Sequence, residues 1–568
     1  MKRILIILSL AFAACFTVSA QADQQDLDRE VTLYNPYKPS LPEFRKRSFL
    51  PDIKDTVKLK PDFTYEVLTM PYSPEYTISP IKPAALLPDP LQKLYKSFIR
   101  IGLGTHVTPM AELSITNERS KRGAIGFYGR HFSSNGKVKL QNEDLSFAGY
   151  MDNDLSLFGK KFFRDNLLEG SVDFSQKLRY AYGYDTSAIE VYDPDNRDIR
   201  MGYNNFGADL SFASLTLDSS SYSYDFGLSY DYFYQTSTRS QHNIGVTGIM
   251  STKYEGFYIG SGLEFQYYIL SERLSDHSKY LFSLSPFVKK STPQWNFKAG
   301  LQLLLDRNIT DNPKFHIYPD LNFGFSIVPS YLRFYAALTG KLERNEPKKV
   351  ILENPFLLRD GSLYLLPNTS HNLIISAGLN GNNGIGGNYI VSASYSLVND
   401  MLFYANMVDT ADNVSPQIGN FFTSIPDDGE IFNIHGEITG AVLDDKIMYA
   451  AQANYYNYSM TQPDLPLNKP GWDATLGVKY NLRNKIIAGA DVTALGKRQL
   501  AVMKVNTLVP LAEMEPVHVN INLSAEYRYT KILSLWIKAN NIAFNRYYEY
   551  AYFPTQRFLF LVGFSYSL

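Results

Sequence analysis

Apolar and polar residues alternate along the last part of the chain. Between Val517 and Arg528 the apolar side chains take every odd position, and the polar ones take the even positions. Because successive side chains of a strand point to opposite sides, this period of two predicts a strand with one apolar and one polar face. We predict that the apolar face meets lipid and that the polar face meets a lumen, with the lumen-facing set being His518, Asn520, Asn522, Glu526 and Arg528.

The same alternation recurs from residue 94 to the final Leu568, for example in residues 222–234 and 472–480. Short polar connections alternate with longer ones, such as residues 341–371 and 409–430, as in barrels with short periplasmic turns and long external loops. The pattern predicts an all-β fold: a transmembrane antiparallel outer-membrane β-barrel of roughly 16–22 strands over residues 93–568. We expect Phe98–Gly104 to close the barrel by pairing with Phe558–Tyr566, because closure leaves no free strand edge.

The first residues have the order of a secretory signal peptide. Lys2 and Arg3 precede an apolar run that ends at Phe16, and small residues follow up to Ala20. We therefore predict a cleaved signal peptide over residues 1–20. Cys15, the only cysteine, also allows a lipoprotein interpretation, although the apolar Phe16 after it is atypical.

Residues 21–92 form a segment of different composition. Eleven prolines fall between Pro36 and Pro90, and proline blocks both helices and central strands. Aromatic residues such as Phe44, Tyr65 and Tyr76 lie among them and favour contact with a surface. We expect an extended segment lying in the lumen or along the periplasmic rim, and two alternatives stay open: a flexible linker and a motif that a periplasmic partner recognises.

Composition supports the membrane barrel and offers little catalytic chemistry. Aromatic residues make up 14% of the chain, as lipid-facing strands and interfacial girdles require. The net charge of −1 gives no electrostatic case for nucleic acid. Residues 193–198 form an acidic loop that is either solvated or a calcium site, and Gly381–Gly387 indicates a hairpin turn. We find no catalytic set, zinc motif or cofactor motif, and we expect neither an enzyme nor a cofactor.

The C-terminal region resembles that of TonB-dependent outer-membrane receptors of the Bacteroidota type. The similarity rests on residues 540–550, on 554–558 and on the final strand, while the usual terminal Phe is replaced by Leu568. The resemblance implies a barrel-assembly signal at Gly563, Tyr566 and Leu568, and a receptor-like closing hairpin containing Asn541, Phe544, Asn545, Tyr547 and Arg557. The plug domain of that family is not recognisable in the Pro-rich residues 21–92.

Two functions follow from this combination. The first is a receptor-like or porin-like barrel that acts in transport across the outer membrane without a plug of its own. The alternative is a non-transporting structural or accessory subunit of an outer-membrane assembly or uptake complex. The expected partners are the lipid bilayer, the barrel-assembly machinery and a surface lipoprotein or other outer-membrane complex subunits, with no nucleic acid among them.

Overall fold

The computed structural model describes residues 95–568, except 118–119, 121, 187–193, 216–221, 236–238, 271–278, 309–311, 358–365, 385, 410–416, 462–465, 505–506 and 511–514. The predicted signal peptide and the Pro-rich residues 21–92, together with the predictions made for them, lie outside the described residues.

Twenty-two antiparallel strands form a closed barrel wall, which confirms the predicted fold class at the upper end of the strand count. In ring order the wall strands are β1 (Ser97–Gly104), β2 (Thr108–Thr116), β3 (Gly123–Ser134), β6 (Tyr150–Phe162), β7 (Asn166–Tyr180), β8 (Arg200–Ser214), β9 (Ser223–Gln235), β10 (Arg239–Tyr254), β11 (Phe257–Leu270), β12 (Lys279–Ser291), β13 (Trp295–Arg307), β14 (Lys314–Val328), β15 (Leu332–Glu343), β16 (Thr369–Asn382), β17 (Gly387–Asp409), β18 (Gln417–Val442), β19 (Ile447–Met460), β20 (Trp472–Leu482), β21 (Ile486–Leu495), β24 (His518–Arg528), β25 (Leu533–Asn540) and β28 (Leu559–Ser567).

Shorter elements lie in the connections between these strands. They are β4 (Lys137–Lys139) and β5 (Leu145–Phe147), β22 (Ala501–Lys504) and β23 (Thr507–Pro510), β26 (Tyr548–Tyr550) and β27 (Phe553–Pro554), and a seven-residue helix α1 (Pro347–Glu353). In the part of the chain that the structure describes, no helix is long and apolar enough to cross a membrane.

The barrel closes between its first and last strands, as the sequence predicts. Strand β1 pairs antiparallel with β28, from Phe98 opposite Ser567 to Gly104 opposite Leu561. Beyond this ladder, the backbone groups of Ser97 and Leu568 exchange two hydrogen bonds of 3.0 and 2.9 Å. The backbone hydrogen bonding of the wall is therefore continuous around the ring, with no free strand edge.

The two ends of the barrel differ in their connections. At the end where Ser97 meets Leu568, neighbouring strands are joined by short segments such as 255–256, 383–386 and 443–446. At the opposite end lie the long connections, which include residues 344–368, 496–517 and 541–558. We refer to these as the short-turn end and the long-loop end.

The two faces of the wall differ in polarity. On β14, Phe315, Ile317 and Phe323 expose large apolar side chains on one face. On the other face, Arg100 of β1 forms a salt bridge of 3.6 Å with Glu526 of β24, although β28 and β25 lie between those strands. Side chains can meet over two intervening strands only on the concave side of the wall. The interior is therefore the polar face, and the exterior is an apolar surface suited to lipid.

The connections partly follow the sequence-based expectations. The hairpin turn within Gly381–Gly387 is confirmed, and the long connection within residues 341–371 is present between β15 and β16. The expectation of a loop over residues 409–430 is wrong, because β18 begins at Gln417. Strands β17 and β18 extend to 23 and 26 residues, so their paired region is longer than a strand needs to cross a membrane. Strand β17 also pairs in parallel with β22.

Candidate functional site: a cap of loops over the long-loop end

Buried apolar residues gather at the long-loop end of the barrel. They come from residues 181–199, 344–368, 496–517 and 541–558 and from the ends of the adjoining strands, and we call this assembly the cap. Its core consists of Ala181, Ile199, Met201, Tyr203, Phe233, Leu270, Val350, Ile351, Phe356, Leu357, Leu366, Leu402, Tyr404, Val408, Phe422, Leu500, Val502, Tyr550, Ala551, Tyr552 and Phe553. Burial of this apolar surface is the main stabilising contribution available to the cap.

Phe553 lies at the centre of the cap core and is 1% exposed. Its ring stacks on Phe356 with centroids 4.2 Å apart, and it meets Tyr182 at 5.1 Å and Phe422 at 5.5 Å. The Tyr182 hydroxyl also donates a hydrogen bond of 2.8 Å to the Pro554 carbonyl. Three separate segments thus converge on one aromatic ring.

The contacts in the cap join opposite sides of the wall. Residues 344–368 connect β15 to β16, whereas residues 541–558 connect β25 to β28. Along one side of the ring, β17 to β21 and β24 separate these two connections, and along the other side the separation is longer. Nevertheless the Tyr550 hydroxyl donates a hydrogen bond to the Glu353 carbonyl, beside the stacked rings. The cap therefore spans the mouth of the barrel.

Glu353, at the end of α1, connects three parts of the cap. Its carboxylate accepts a hydrogen bond of 3.2 Å from the Tyr404 hydroxyl and another of 2.7 Å from the Lys469 ammonium. Its carbonyl accepts the hydrogen bond from Tyr550. One residue thus links β17, the β19–β20 connection and the last connection of the chain.

A buried amide fixes the last connection to β17. Asn406 is almost fully buried, and its Nδ2 donates hydrogen bonds of 2.7 Å to the Gly419 carbonyl and 2.9 Å to the Ala551 carbonyl. The Tyr552 hydroxyl donates to the Asp185 carboxylate at 3.1 Å. The two Asn406 bonds satisfy backbone carbonyls that would otherwise be buried without these partners, which is costly.

Arg498 and Glu515, from the β21–β24 connection, bind the backbone of residues 541–558 through polar contacts. We call this pair of residues the polar clasp. The Arg498 guanidinium donates to the carbonyls of Tyr548 at 2.6 Å and Glu549 at 3.1 Å. The Glu515 carboxylate accepts a hydrogen bond of 3.0 Å from the Tyr548 backbone N–H. Burial raises the pKa of the Glu515 carboxyl, while the Tyr548 N–H and the Arg498 charge act in the opposite direction.

Below the cap, the concave face of the wall carries ion pairs that solvent can reach. Arg100 pairs with Glu112 and with Glu526, both at 3.6 Å, and each of these side chains keeps about a fifth of its surface exposed. Arg179 pairs with Asp152 at 2.8 Å. The interior beneath the cap is therefore a polar surface in contact with water, unlike the apolar core above it.

A tryptophan crosses the closing seam on this inner face. Trp536 of β25 lies opposite Gly563 of β28, which lies opposite Gly102 of β1, which lies opposite Met110 of β2. A Cβ atom at either glycine would come within 2.5 Å of the indole Cζ2. The two glycines thus leave the space in which the buried indole lies across the seam.

The residues of the predicted closing hairpin lie in different surroundings, and their receptor-like role stays a prediction. The Asn541 side chain donates a hydrogen bond of 2.8 Å to the Asn545 carbonyl and accepts one of 3.2 Å from the Asn545 N–H, which forms a compact turn. Phe544 is exposed and stacks on Phe558, whereas the Tyr547 ring lies on His518 at 3.5 Å. Arg557 is exposed.

The residues of the assumed assembly signal lie on or beside one strand. Gly563 belongs to the seam described above, and Tyr566 lies opposite Ile99 of β1. Leu568 follows the end of β28 with an exposed side chain and binds Ser97 through its backbone. These positions fit a role in barrel closure, and their recognition by assembly machinery stays a prediction.

The five residues predicted to face the lumen have different surroundings. His518 is buried beneath Tyr547, and the Asn522 side-chain Oδ1 accepts a hydrogen bond of 3.0 Å from the Asn541 backbone N–H. Glu526 lies within 3.8 Å of Arg528 in addition to its pair with Arg100. The side-chain oxygen of Asn520 is buried without a partner. Their position in a lumen within a membrane remains a prediction.

Metal chemistry receives no support from the described residues, which contain no group of three or more His, Cys, Asp or Glu side chains able to hold a metal ion. In the part of the acidic loop that is described, Asp195 accepts a hydrogen bond of 2.9 Å from the Arg197 N–H. This carboxylate thus stabilises the local turn.

Sequence reasoning missed the cap. The resemblance implied a closing hairpin containing Asn541, Phe544, Asn545, Tyr547 and Arg557. It gave no role to the four consecutive buried residues of the same connection, from Tyr550 to Phe553, which lie in the cap core. The available signal was the density of aromatic residues in a long connection, because an exposed loop has no need of them. Which distant loops they would meet has no signature in a single sequence.

Comparison with known proteins identifies the fold. No family model and no curated protein matches the chain. Among solved structures, the FrpB iron transporter from Neisseria meningitidis (F5-1 variant) aligns with a TM-score of 0.62 and 10% identity, covering 84% of this chain and 83% of that one. The pyoverdine outer membrane receptor FpvA from Pseudomonas aeruginosa PAO1 aligns at 0.60 and 10%, covering 84% and 79%. The copper transporter OprC aligns at 0.59 and 12%, covering 84% and 81%. At these identities the similarity establishes the fold of such receptors, and the closed barrel with its apolar exterior is that of an outer-membrane protein.

Proposed function

We propose that this chain is a receptor-like transport barrel of the outer membrane, closed on its outer side by its own loops. The observation that carries this proposal is the polar, solvent-accessible inner wall beneath the cap, typified by the Arg100–Glu112 and Arg100–Glu526 pairs. A lumen lined in this way suits the passage of a polar solute. Because a polar solute cannot cross the packed aromatic core around Phe553, the proposal requires the cap to move during transport.

Several features support this orientation and role. Long connections face outward in outer-membrane barrels, so the cap lies where a receptor first meets its solute. The aligned FrpB, FpvA and OprC structures are described as an iron transporter, a receptor for pyoverdine and a copper transporter. We include in the proposal the lipid bilayer as the surroundings of the wall, and we propose that the chain is not an enzyme. The assembly machinery and a surface lipoprotein remain proposed partners.

The second candidate is a non-transporting accessory subunit of an outer-membrane complex. The size of the cap core favours it, since more than twenty buried residues join opposite sides of the mouth and oppose opening. In that case the barrel would serve as a closed scaffold, and its inner wall would never conduct.

Conductance of the purified full chain in planar bilayers separates the two functions. Phe553→Asp places a charge in the cap core and should open the mouth, whereas Phe544→Asp changes an exposed aromatic residue of the same connection and should not. Both substitutions should be measured with residues 23–90 present and deleted, because we propose that the Pro-rich segment also guards the lumen.

We expect no ion current from the unaltered chain or from Phe544→Asp, and a stable current from Phe553→Asp with the segment deleted. If folded Phe553→Asp barrels lacking the segment stay closed, the lumen is not a conduit and the accessory function is correct. A current that appears only after the segment is deleted would show that the segment, too, blocks the lumen.

A further inference from the structure

Three carboxylates lie close together on the inner wall beneath the cap. Asp173 of β7 and Asp231 of β9 both lie opposite Gly207 of β8, so these three residues form one row across three strands. Asp209 is the next residue of β8 with the same orientation. The outer members of the row are about 10 Å apart, at two strand spacings. We call Asp173, Asp209 and Asp231 the acidic wall patch.

The glycine in the middle of the row leaves a hollow between the carboxylates. A Cβ atom at Gly207 would lie 3.4 Å from Asp231 Oδ1 and 3.9 Å from the Asp173 Cβ. Any larger side chain at this position would fill the space between the two acids. The hollow is thus bordered by two aspartates and by Asn205 Nδ2 at 3.8 Å, and it has no side chain of its own in the centre.

Two buried amide oxygens beside the patch have no hydrogen-bond partner. Asn243 lies directly opposite Asp231 and is 6% exposed, and Asn205 precedes Gly207 on the same face and is 8% exposed. Neither side-chain oxygen is hydrogen-bonded, although Asn205 Nδ2 donates to Asp231 at 3.2 Å. Buried polar atoms without partners are rare in folded proteins, so this group of acceptors is short of a donor.

One cation from the cap reaches the patch. The Lys348 ammonium of α1 lies 2.7 Å from Asp231 Oδ1, although α1 follows β15 and β10 to β14 separate β15 from β9. The Lys348 side chain is still 42% exposed. Within the described residues, no salt bridge reaches Asp173 or Asp209, so a single ammonium faces three carboxylates.

The arrangement suits an extended organic cation better than a metal ion. The described carboxylates do not form a group able to hold one metal ion. Acceptors spread over about 10 Å match a molecule with more than one ammonium group along a flexible chain. The ammonium of Lys348 already occupies one end of the patch in the way that such a ligand would.

We propose that the acidic wall patch is a binding site for an organic polycation, and that Lys348 of the cap occupies part of this site while the cap is closed. The proposal rests on the transport function proposed above and names a substrate class for it. Opening of the cap withdraws Lys348 and frees the carboxylates, so the polycation and the closed cap compete for the same surface.

Binding of spermidine to the purified full chain in lipid nanodiscs, measured by calorimetry at low salt, tests the proposal. Lys348→Ala removes the competing ammonium, and we expect spermidine to bind about tenfold more tightly, a difference of about 1.4 kcal/mol. Lys349→Ala is the matched control, because the neighbouring Lys349 pairs with Glu343 at the end of β15. It should leave the affinity unchanged.

Variants of the patch complete the test. Added to Lys348→Ala, either Asp231→Asn or Asp209→Asn should weaken spermidine binding at least tenfold, and Asp209 has no salt bridge whose loss would disturb folding. Triethylene glycol, which is flexible but uncharged, should not bind. Retained mobility of the unheated barrel on a denaturing gel confirms that each variant is folded.

Equal affinities for Lys348→Ala and Lys349→Ala would overturn the proposal, as would binding that survives both aspartate substitutions. The outcome is separable from that of the transport function. If Phe553→Asp conducts but the substitutions in the acidic wall patch do not change spermidine affinity, the substrate class is wrong and the transport function stands. If spermidine binds as expected but no variant conducts, the site exists and the transport function is wrong.

Discussion

The closing seam and the cap hold the molecule together in different ways. At the seam, Trp536, Gly563 and Gly102 lie in adjacent strands, and their contacts follow from the register of the backbone ladder. In the cap, Phe553 meets Phe356 of the β15–β16 connection and Phe422 of strand β18, which come from other parts of the ring. The seam is therefore a product of local pairing, whereas the cap depends on side-chain packing between distant segments. The transport function proposed above requires the wall to stay closed while the cap opens on its own.

The largest expected effect is at the seam. In Gly563→Val, the added side chain would enter the space held by the Trp536 indole and the Ile101 carbonyl, and the strands cannot separate without losing closure. We expect no folded barrel, read out as loss of heat-dependent mobility on a gel. Gly436→Val in β18 is the control, since a Cβ atom there meets nothing within 4 Å. Folding of both variants alike would refute the account of the seam.

The second-largest expected effect is a loss of cap stability that leaves the wall unchanged. Phe553→Ala removes the central ring of the cap core and should destabilise the closed cap by about 3–5 kcal/mol. Hydrogen exchange should accelerate in residues 344–357 and 541–558 while the amides of β1 and β28 stay protected. Phe544→Ala, in the same connection but 59% exposed, should change little. Faster exchange throughout the wall would show that cap and barrel open as one unit.

A third substitution tests which face of β24 meets lipid. Leu523→Arg should cost about 2–4 kcal/mol if the side chain lies near the bilayer midplane. Asn522→Arg on the other face should cost about 1 kcal/mol, through loss of the hydrogen bond from Asn541. Denaturant titration of refolding into lipid vesicles gives both values. Similar costs at the two positions would contradict the predicted faces.

A smaller effect sharpens the account of the seam. Gly102→Ala adds a Cβ atom within 2.5 Å of the Trp536 indole and should destabilise the barrel by about 1–3 kcal/mol. Trp536→Leu in the same chain removes the indole and should restore part of that loss. The same vesicle titration measures both variants. If Trp536→Leu lowers the stability of the Gly102→Ala barrel further, Gly102 is needed for a reason other than space for the indole.

The smallest effect is a pH dependence in the cap. Burial raises the pKa of the Glu515 carboxyl above its value in the unfolded chain, so the folded clasp binds a proton more readily. The clasp should therefore gain stability as the pH falls through the folded pKa and lose it as the pH rises. Proteolysis of the cap between pH 4.5 and 7 should slow at the acid end. Glu515→Gln, which keeps an acceptor for Tyr548, should remove that dependence.

The wall could be predicted from the sequence because each of its strands is encoded by the local alternation of apolar and polar residues. The alternation in residues 517–528 and the aromatic strand before Leu568 each predict a strand, and closure follows from the need to pair both edges. The extra length of β18 could not be predicted, because it depends on the packing of the cap. The same holds for Asn406 and Lys348, whose partners lie far away in the sequence. Contacts between distant loops leave no periodic pattern in the sequence from which they could be predicted.

Labelling of a single cysteine beneath the cap tests the central claim most directly. Ser524→Cys places a thiol on the polar face of β24, in a chain whose only native cysteine, Cys15, can be replaced by serine. We add a large maleimide-polyethylene glycol to intact cells and use Leu145→Cys, on the exposed β4–β5 hairpin, as the labelled reference. In a chain that also lacks residues 23–90, the account predicts no labelling of Ser524→Cys beneath the closed cap and strong labelling once Phe553→Asp is added. Equal labelling with and without Phe553→Asp would contradict a cap that closes a polar lumen.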